Sequence, residues 1–205
     1  MQKNLSKRKK YKKVLFAFLA FVIVLIIFSP FYLTYVDSPA KSGVIVLLLG
    51  KDFDARKKEA EQLIADGYSK YLIIPDHDKV FKSSDSDSLL PIKQNTLHQN
   101  RLIAYKKRHE TRYIESTHLE ISHAKTMMDE IGFKSAIFVS SPYHMRRVRL
   151  IAESVFKGGG YHLLFVPTRY DITNGKLWWP NRYDLKRVAT EYVKIFWFLL
   201  YSPFA

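Results

Sequence analysis

The sequence predicts an α/β sandwich with a mostly parallel sheet, preceded by one transmembrane helix, and three observations predict it. From Ser42 to the C-terminus, short apolar runs of strand length alternate with amphipathic segments of helix length, as expected for strands buried on both faces with helices packed over them. Residues 14 to 36 carry no charge. The length of 205 residues fits one ordinary domain plus an appendage, since domains of about 100 to 200 residues are usual.

Residues 1 to 13 hold seven basic residues, Lys3, Lys7, Arg8, Lys9, Lys10, Lys12 and Lys13, and no acid, so half of the net charge of +14 is local to this tail. The uncharged run "VLFAFLAFVIVLIIFSPFYLTYV", Val14 to Val36, follows. As a helix rising ~1.5 Å per residue it covers a hydrocarbon core of ~30 Å, and it exceeds a secretory apolar region of about 7 to 15 residues. It reads as a membrane anchor. Basic residues on its N-terminal flank place residues 1 to 13 in the cytoplasm and residues 37 to 205 outside. The expectation is a single-pass protein of the inner (cytoplasmic) membrane, with a basic tail, an anchor and an extracytoplasmic domain. A cleaved signal peptide is the rival, because Ser38-Pro39-Ala40 offers small residues at the cleavage positions; the length of the run and the proline count against it. A basic tail set against an apolar run points to anionic membrane lipids as partners, not nucleic acid. The absence of cysteine excludes thiolate catalysis and zinc–cysteine sites, and suits a domain outside the cytoplasm that lacks disulfides.

The elements follow in order. "SGVIVLLLG", Ser42 to Gly50, is an unbroken apolar run bounded by glycines, which predicts a central parallel strand. Asp52 to Gly67 has Ala60, Leu63 and Ile64 on one face, acids near its start and a glycine stop, hence a helix. "KYLIIP", Lys70 to Pro75, is a second strand, and the Ser/Asp-rich stretch from Asp76 to Pro91 reads as a loop. Asn95 to Glu110 is expected to be a helix and Thr111 to Ser116 a short strand. His118 to Phe133 supplies a helix with Leu119, Ala124, Met127, Met128 and Ile131 inward and a stop at Gly132. Ser135 to Ser141 is a buried strand, Pro142 to Phe156 its following helix, and Gly158 to Thr168 a glycine break and a further strand. Asn181 to Ala205 begins as an amphipathic helix and ends in an apolar tail. The tail, Val193 to Leu200, is too short for a second span. Packing on the core is favoured over lying on a bilayer surface, because Glu191 and Lys194 give the segment a polar side.

In open parallel sheets ligands sit beyond the carboxyl ends of strands. That rule selects Gly50 to Arg56, Asp76 to Asp78, Glu115 to Glu120 and Ser140 to Arg147. Ser140 and Ser141 are helix-cap candidates, Pro142 suits a first turn, and free main-chain N–H groups there outline an anion site. His144, Arg146 and Arg147 follow. Successive helix positions differ by about 100°, so the two arginines cannot face one ligand and one of them is structural. The competing reading is a solvated arginine face with a hydrogen-bonded histidine. Other strand ends add Gly50-Lys51-Asp52 with Arg56, and Glu115-Ser116-Thr117 with Glu120. A glycine there permits close backbone approach, and such a mixture can bind a charged substrate and handle protons. Lys51 and Asp52 either enter the site or cap the next helix.

These residues carry a resemblance. "VIVLLLGKD" with Arg56, then "STHLEISHAK", "VSSPYHMRRVRL" and "KRVATEYVK", resembles the bacterial SanA/ElyC/YdcF-like family over about Ser42 to Phe198. The stretch Ser140 to Arg147 is similar to that family's serine-x-tyrosine-histidine-methionine-x-arginine signature. Arg147 falls on the signature arginine and Arg146 on a variable position. Gly50 and Arg56 fall on the glycine after the first strand and the arginine of the first helix. Thr117 falls on the threonine of a threonine-x-glutamate-asparagine segment, where Leu119 and Glu120 replace the acid and the amide. "PDHD" replaces the family's serine-glycine-glycine after the second strand, and Glu191 resembles the acid that precedes its terminal helix. The resemblance implies a Rossmann-like three-layer sandwich, membrane anchorage, and a role in envelope integrity, peptidoglycan or lipid-carrier metabolism. It brings no settled reaction, and a YdcF-type member is associated with S-adenosylmethionine.

The expected function is binding of a phosphorylated envelope intermediate such as a polyprenyl-linked sugar, with its hydrolysis or transfer left open. Arg56 and Arg147 would clamp phosphate oxygens, the amides of Ser140 and Ser141 would complete the anion site, and Gly50, Lys51, Asp52 and Thr117 would line it. His144 is the acid or base, and Glu120 is a second catalytic candidate. The alternatives are a non-catalytic envelope factor that binds a protein partner or small ligand, and a nucleotide- or S-adenosylmethionine-binding protein. No resident cofactor and no metal are expected. Asp76-His77-Asp78 in an extended segment cannot all face one ion, and His118 and His123 are poorly spaced for one helix face. Gly158 to Gly160 precedes a strand and reads as a turn, and no Gly-x-Ser-x-Gly elbow occurs.

Overall fold

The computed structural model describes residues 13, 15–16, 18–19, 28–29, 31–83, 89–91, 114–171 and 182–204. The elements are β1 (Val44–Leu47), α1 (Phe53–Ala65), β2 (Tyr71–Ile74), β3 (Lys79–Ser83), β4 (Leu89–Pro91), α2 (Ser116–Ile131), β5 (Ser135–Ser140), α3 (Met145–Val155), β6 (His162–Pro167) and α4 (Arg182–Tyr201). One mixed sheet runs in the order β4-β3-β2-β1-β5-β6. Its β2, β1, β5 and β6 are parallel, and β3 and β4 are antiparallel additions at one edge.

Alternation along β1 explains the layers. Val44 and Val46 face a cluster with Ile121, Ala124, Met127 and Met128 of α2 and Val148, Ile151 and Ala152 of α3. Ile45 and Leu47 face the opposite cluster with Ala60 and Leu63 of α1. Both sides of the central strands are therefore covered, and each such side chain contributes roughly 1.5 to 3 kcal/mol by leaving water. α4 joins the α2–α3 side through Phe198.

Several expectations need correction. Asp76 to Pro91 is not a loop: its described residues include β3 and β4. Lys79 and Lys82 interrupt the apolar pattern of β3, which is paired to β2 on one side and to the short edge strand β4 on the other. In the expected strand at Thr111 to Ser116, Ile114 and Glu115 are irregular and Ser116 already opens α2. Residues 111–113 and the helix expected at Asn95 to Glu110 lie outside the described residues. The apolar tail is no separate unit, since it continues α4 as one helix and docks Ile195 and Phe198 on the core.

The expected transmembrane helix is also corrected. Among the described residues, no helix is long and apolar enough to cross a membrane. Much of the stretch from 14 to 36 lies outside the described residues, and its end packs on protein. Leu33 is fully buried with Val188 and Ile195 of α4. The Tyr32 ring stacks on Tyr192 with centroids 6.1 Å apart, and the Tyr192 hydroxyl donates to the Ser29 carbonyl at 2.7 Å. Asp37 then straps the chain to β6: its N–H donates to the Phe165 carbonyl at 2.9 Å, and its carboxylate accepts the Phe165 N–H at 3.0 Å.

Candidate functional site

β1 has β2 on one side and β5 on the other. The crevice past their carboxyl ends is thus the point where the strand order reverses, the usual ligand position in open α/β sheets. Leu48 to Asp52 follow β1 there and Ser141 to His144 follow β5.

Arg56, in the first turns of α1, turns back beneath the end of β1 and is 3% exposed. Its Nη1 donates to the carbonyls of Leu48 and Leu49, and its Nε donates to Ser141 Oγ at 3.0 Å. A Cβ on Gly50 would lie 2.6 Å from Nη2, so only glycine leaves room for the guanidinium. Burial pushes the pKa of Arg56 down. The side chain staples the ends of β1 and β5, and little of it is free to clamp a ligand.

Asp52 settles the choice between capping and site. It makes no side-chain cap hydrogen bond to α1. Its carboxylate accepts from Tyr143 Oη at 2.7 Å, Ser141 Oγ at 3.2 Å and Arg187 Nη2 at 3.3 Å. Burial works against its ionisation, but the Tyr143 hydrogen bond and the Arg187 charge outweigh it, and its pKa is lowered. Burial and the neighbouring Asp52 push Tyr143 up to about 12. Arg187 lies over the Tyr143 ring at 5.3 Å and is partly exposed, as is the crevice mouth where Lys51 stands in solvent.

The serines act differently from expectation. Ser141 precedes a short 3-10 turn, Pro142–His144, without capping it through its hydroxyl, and that hydroxyl bridges Arg56 and Asp52 instead. Ser140 is the last residue of β5, and its carbonyl accepts the Thr168 N–H at 2.9 Å. Ser140 Oγ is buried without a hydrogen-bond partner among the described residues.

The second cluster centres on Arg147, 2% exposed. Its Nε donates to Glu191 Oε2 at 2.8 Å, its Nη2 to Glu191 Oε1 at 3.2 Å, and its Nη1 to Glu115 Oε2 and to Thr117 Oγ1 at 2.9 Å. The remaining Nη2 hydrogen has His144 Nδ1 at 2.8 Å. All five guanidinium N–H groups are then satisfied. In this arrangement Nδ1 accepts, and the proton of a neutral ring sits on Nε2. Nδ1 also lies 3.0 Å from Glu191 Oε2, but one nitrogen cannot both accept from Arg147 and donate to Glu191. We assign the accepting role because it leaves no guanidinium hydrogen unused.

The electrostatics of the cluster are dominated by burial. Burial, and next the Arg147 charge, lower the pKa of His144 to about 4, so the ring is neutral near pH 7. Burial works to raise Glu191, but its contacts with His144 and Arg147 outweigh this and hold it at about 2. Burial pushes Glu115 up, only partly offset by Arg147.

Of the two arginines, Arg147 turns inward and Arg146 outward. Arg146 donates to the Tyr32 carbonyl at 2.8 Å and covers the Tyr32 and Tyr35 rings. Glu120 Oε1 accepts the Leu49 N–H at 2.7 Å, so it positions the segment after β1. Glu191 lies within the terminal helix, not before it as the resemblance implies. The histidines of α2 separate: His118 meets Tyr201 at 3.1 Å, whereas His123 meets the Pro75 carbonyl at 2.6 Å and Asp78 at 3.4 Å. Among the described residues no cluster of three or more histidines and carboxylates is placed to hold a metal. Sequence reasoning misses Tyr143 and Arg187. The i, i+4 spacing of Arg187 and Glu191, which puts both on one helix face, is the signal that points to Arg187.

No family model matches the chain, and comparison with curated proteins and with solved structures returns no match. The SanA/ElyC/YdcF-like resemblance thus rests on the residues quoted above.

Proposed function

We propose that the domain binds a phosphorylated cell-envelope intermediate in the crevice between the ends of β1 and β5. The observation that carries this reading is the convergence of Asp52, Arg56, Ser141, Tyr143 and Arg187 on that crevice, with His144 of the neighbouring Arg147 cluster three residues past Ser141. Arg147 leaves the clamp role, because its donors are spent on Glu115, Glu191, Thr117 and His144. Arg187 takes its place. Its side chain is 29% exposed and holds Asp52 at 3.3 Å, so an incoming phosphate can compete for it, helped by Lys51. A neutral His144 with its proton on Nε2 can donate a hydrogen bond to a phosphoryl oxygen, and with Nδ1 taken by Arg147 its role is to bind, not to transfer a proton. The envelope class of the ligand comes from the family resemblance.

The test is a thermal-shift screen of the full chain against polyprenyl phosphates, sugar nucleotides and S-adenosylmethionine, wild type beside Arg187→Ala. Stabilisation by a phosphorylated lipid that is lost in the variant supports the reading. No shift from any phosphorylated ligand, with both proteins folded, removes it, and a shift with S-adenosylmethionine alone favours the cofactor-binding alternative. A non-catalytic envelope factor is the second reading, favoured by the mutual satisfaction of Arg147, Glu115, Thr117 and Glu191, as in a structural polar core. It requires that bound ligand be recovered unchanged.

A further inference from the structure

α4 has two apolar faces, and among the described residues only one is covered. Val188, Ile195 and Phe198 are buried in the domain. Leu185, Val193, Phe196, Trp197 and Leu200 are exposed, Val193 by 68% and Phe196 by 63%. Phe204, just beyond the helix, is 87% exposed. Exposed Phe28 and Phe31 continue this surface on the segment that Tyr32 and Tyr192 hold against α4. A contiguous apolar patch of this kind on a folded chain marks an interaction surface.

We infer that this outer face of α4 lies in the headgroup–acyl boundary of an anionic lipid bilayer, parallel to the surface. Charge decides between a bilayer and a second copy of the chain. Arg182 and Lys186 stand exposed near the start of the helix, and Lys194 lies 3.9 Å from Glu191, one of two acids on the helix and itself buried against Arg147. Symmetric pairing of two copies through this face would bring like charges together, whereas anionic headgroups complement them. The seven basic residues of the first thirteen add to the same attraction. The aromatic content of this face suits the interface, where rings partition between water and hydrocarbon. The helix lies on the bilayer and does not cross it. Its inner face meanwhile presents Arg187 and Glu191 to the two clusters, so one helix would hold the crevice close to a lipid surface.

The test uses the full chain with Trp178 and Trp179 changed to Phe, leaving Trp197 as the only tryptophan, and vesicles of equal parts phosphatidylglycerol and phosphatidylcholine. Trp197 emission should shift to the blue and be quenched by lipids brominated on the acyl chain. Changing Val193, Phe196 and Leu200 together to Ser should abolish that quenching while the far-ultraviolet dichroism is kept, and should weaken vesicle binding by about a hundredfold where this face carries the affinity. Vesicle binding with Trp197 unshifted and unquenched overturns the proposal, because attachment then lies elsewhere in the chain. Concentration-dependent dimerisation that shields Trp197 from iodide in the absence of lipid overturns it in favour of a second copy.

Discussion

Arg147 of α3 and Glu191 of α4 meet side-on through two hydrogen bonds, 2.8 Å at Nε and 3.2 Å at Nη2, where both side chains are almost shielded from solvent. This pair fastens the terminal helix over the end of β5. It also spends donors of Arg147 that a ligand would otherwise use.

Removing Arg147 strands two carboxylates, Glu115 and Glu191, in a buried place. Arg147→Ala should cost about 3 to 5 kcal/mol of stability. Arg147→Lys should rescue little, since an ammonium cannot reach four partners through a planar fork. Urea unfolding is the measurement, and a midpoint for Arg147→Ala equal to that of the wild type would contradict the pair.

Gly50 and Arg56 should be coupled. A Cβ at position 50 meets a guanidinium pinned by Leu48, Leu49 and Ser141. Gly50→Ala should therefore destabilise the wild type more than it destabilises Arg56→Ala, with a non-additivity of about 1 kcal/mol or more in a double-mutant cycle. Strict additivity would mean that the glycine serves another purpose.

Stability should fall in acid. His144 has a folded pKa of about 4 against an ordinary 6.5, so between these values the unfolded chain binds more protons and folding weakens as pH drops. The contribution is complete above pH 6.5 and amounts to roughly 3 kcal/mol. Glu191, at about 2 against 4.5, extends the loss further into acid. Glu115, raised by burial, works in the opposite sense just above 4.5. Urea midpoints between pH 7 and 4.5 should decline less steeply for His144→Gln than for wild type, and equal slopes would show that His144 does not titrate this way.

Glu120 is a positioning residue in the structure. Glu120→Gln keeps an oxygen for the Leu49 N–H and should fold and bind like wild type, whereas Glu120→Ala should lose about 1 to 3 kcal/mol through the orphaned donor. Any turnover found for this protein should survive Glu120→Gln. Its abolition in that variant alone, with stability unchanged, would restore Glu120 as a proton-transfer group.

Much of this architecture is legible along the chain. The β1 run reads as a doubly covered strand because all its residues are apolar and β-branched or leucine, and they are fully buried. α1, α2 and α3 follow from apolar spacing and glycine stops. β3 and the edge strand β4 are not legible, because Lys79 and Lys82 break the apolar pattern of the first and the second is only three residues long. Only the end of the uncharged run from Val14 to Val36 is described without interruption, and there the limit of the sequence is a different one. Hydropathy is blind to whether an apolar residue meets lipid or protein, and Leu33 meets Val188 and Ile195.

By itself the sequence determined the alternation of strands and helices, the placement of polar residues at strand ends, and the fact that Arg146 and Arg147 could not share one direction. Only the tertiary structure decided which arginine turned inward and what each charge met. Glu191 reaches Arg147 across 44 residues and Asp52 reaches Tyr143 across 91. Such pairs are invisible to local periodicity, since they form where distant elements are packed by their apolar faces, and the energy that selects them is the cost of leaving a buried charge without a partner.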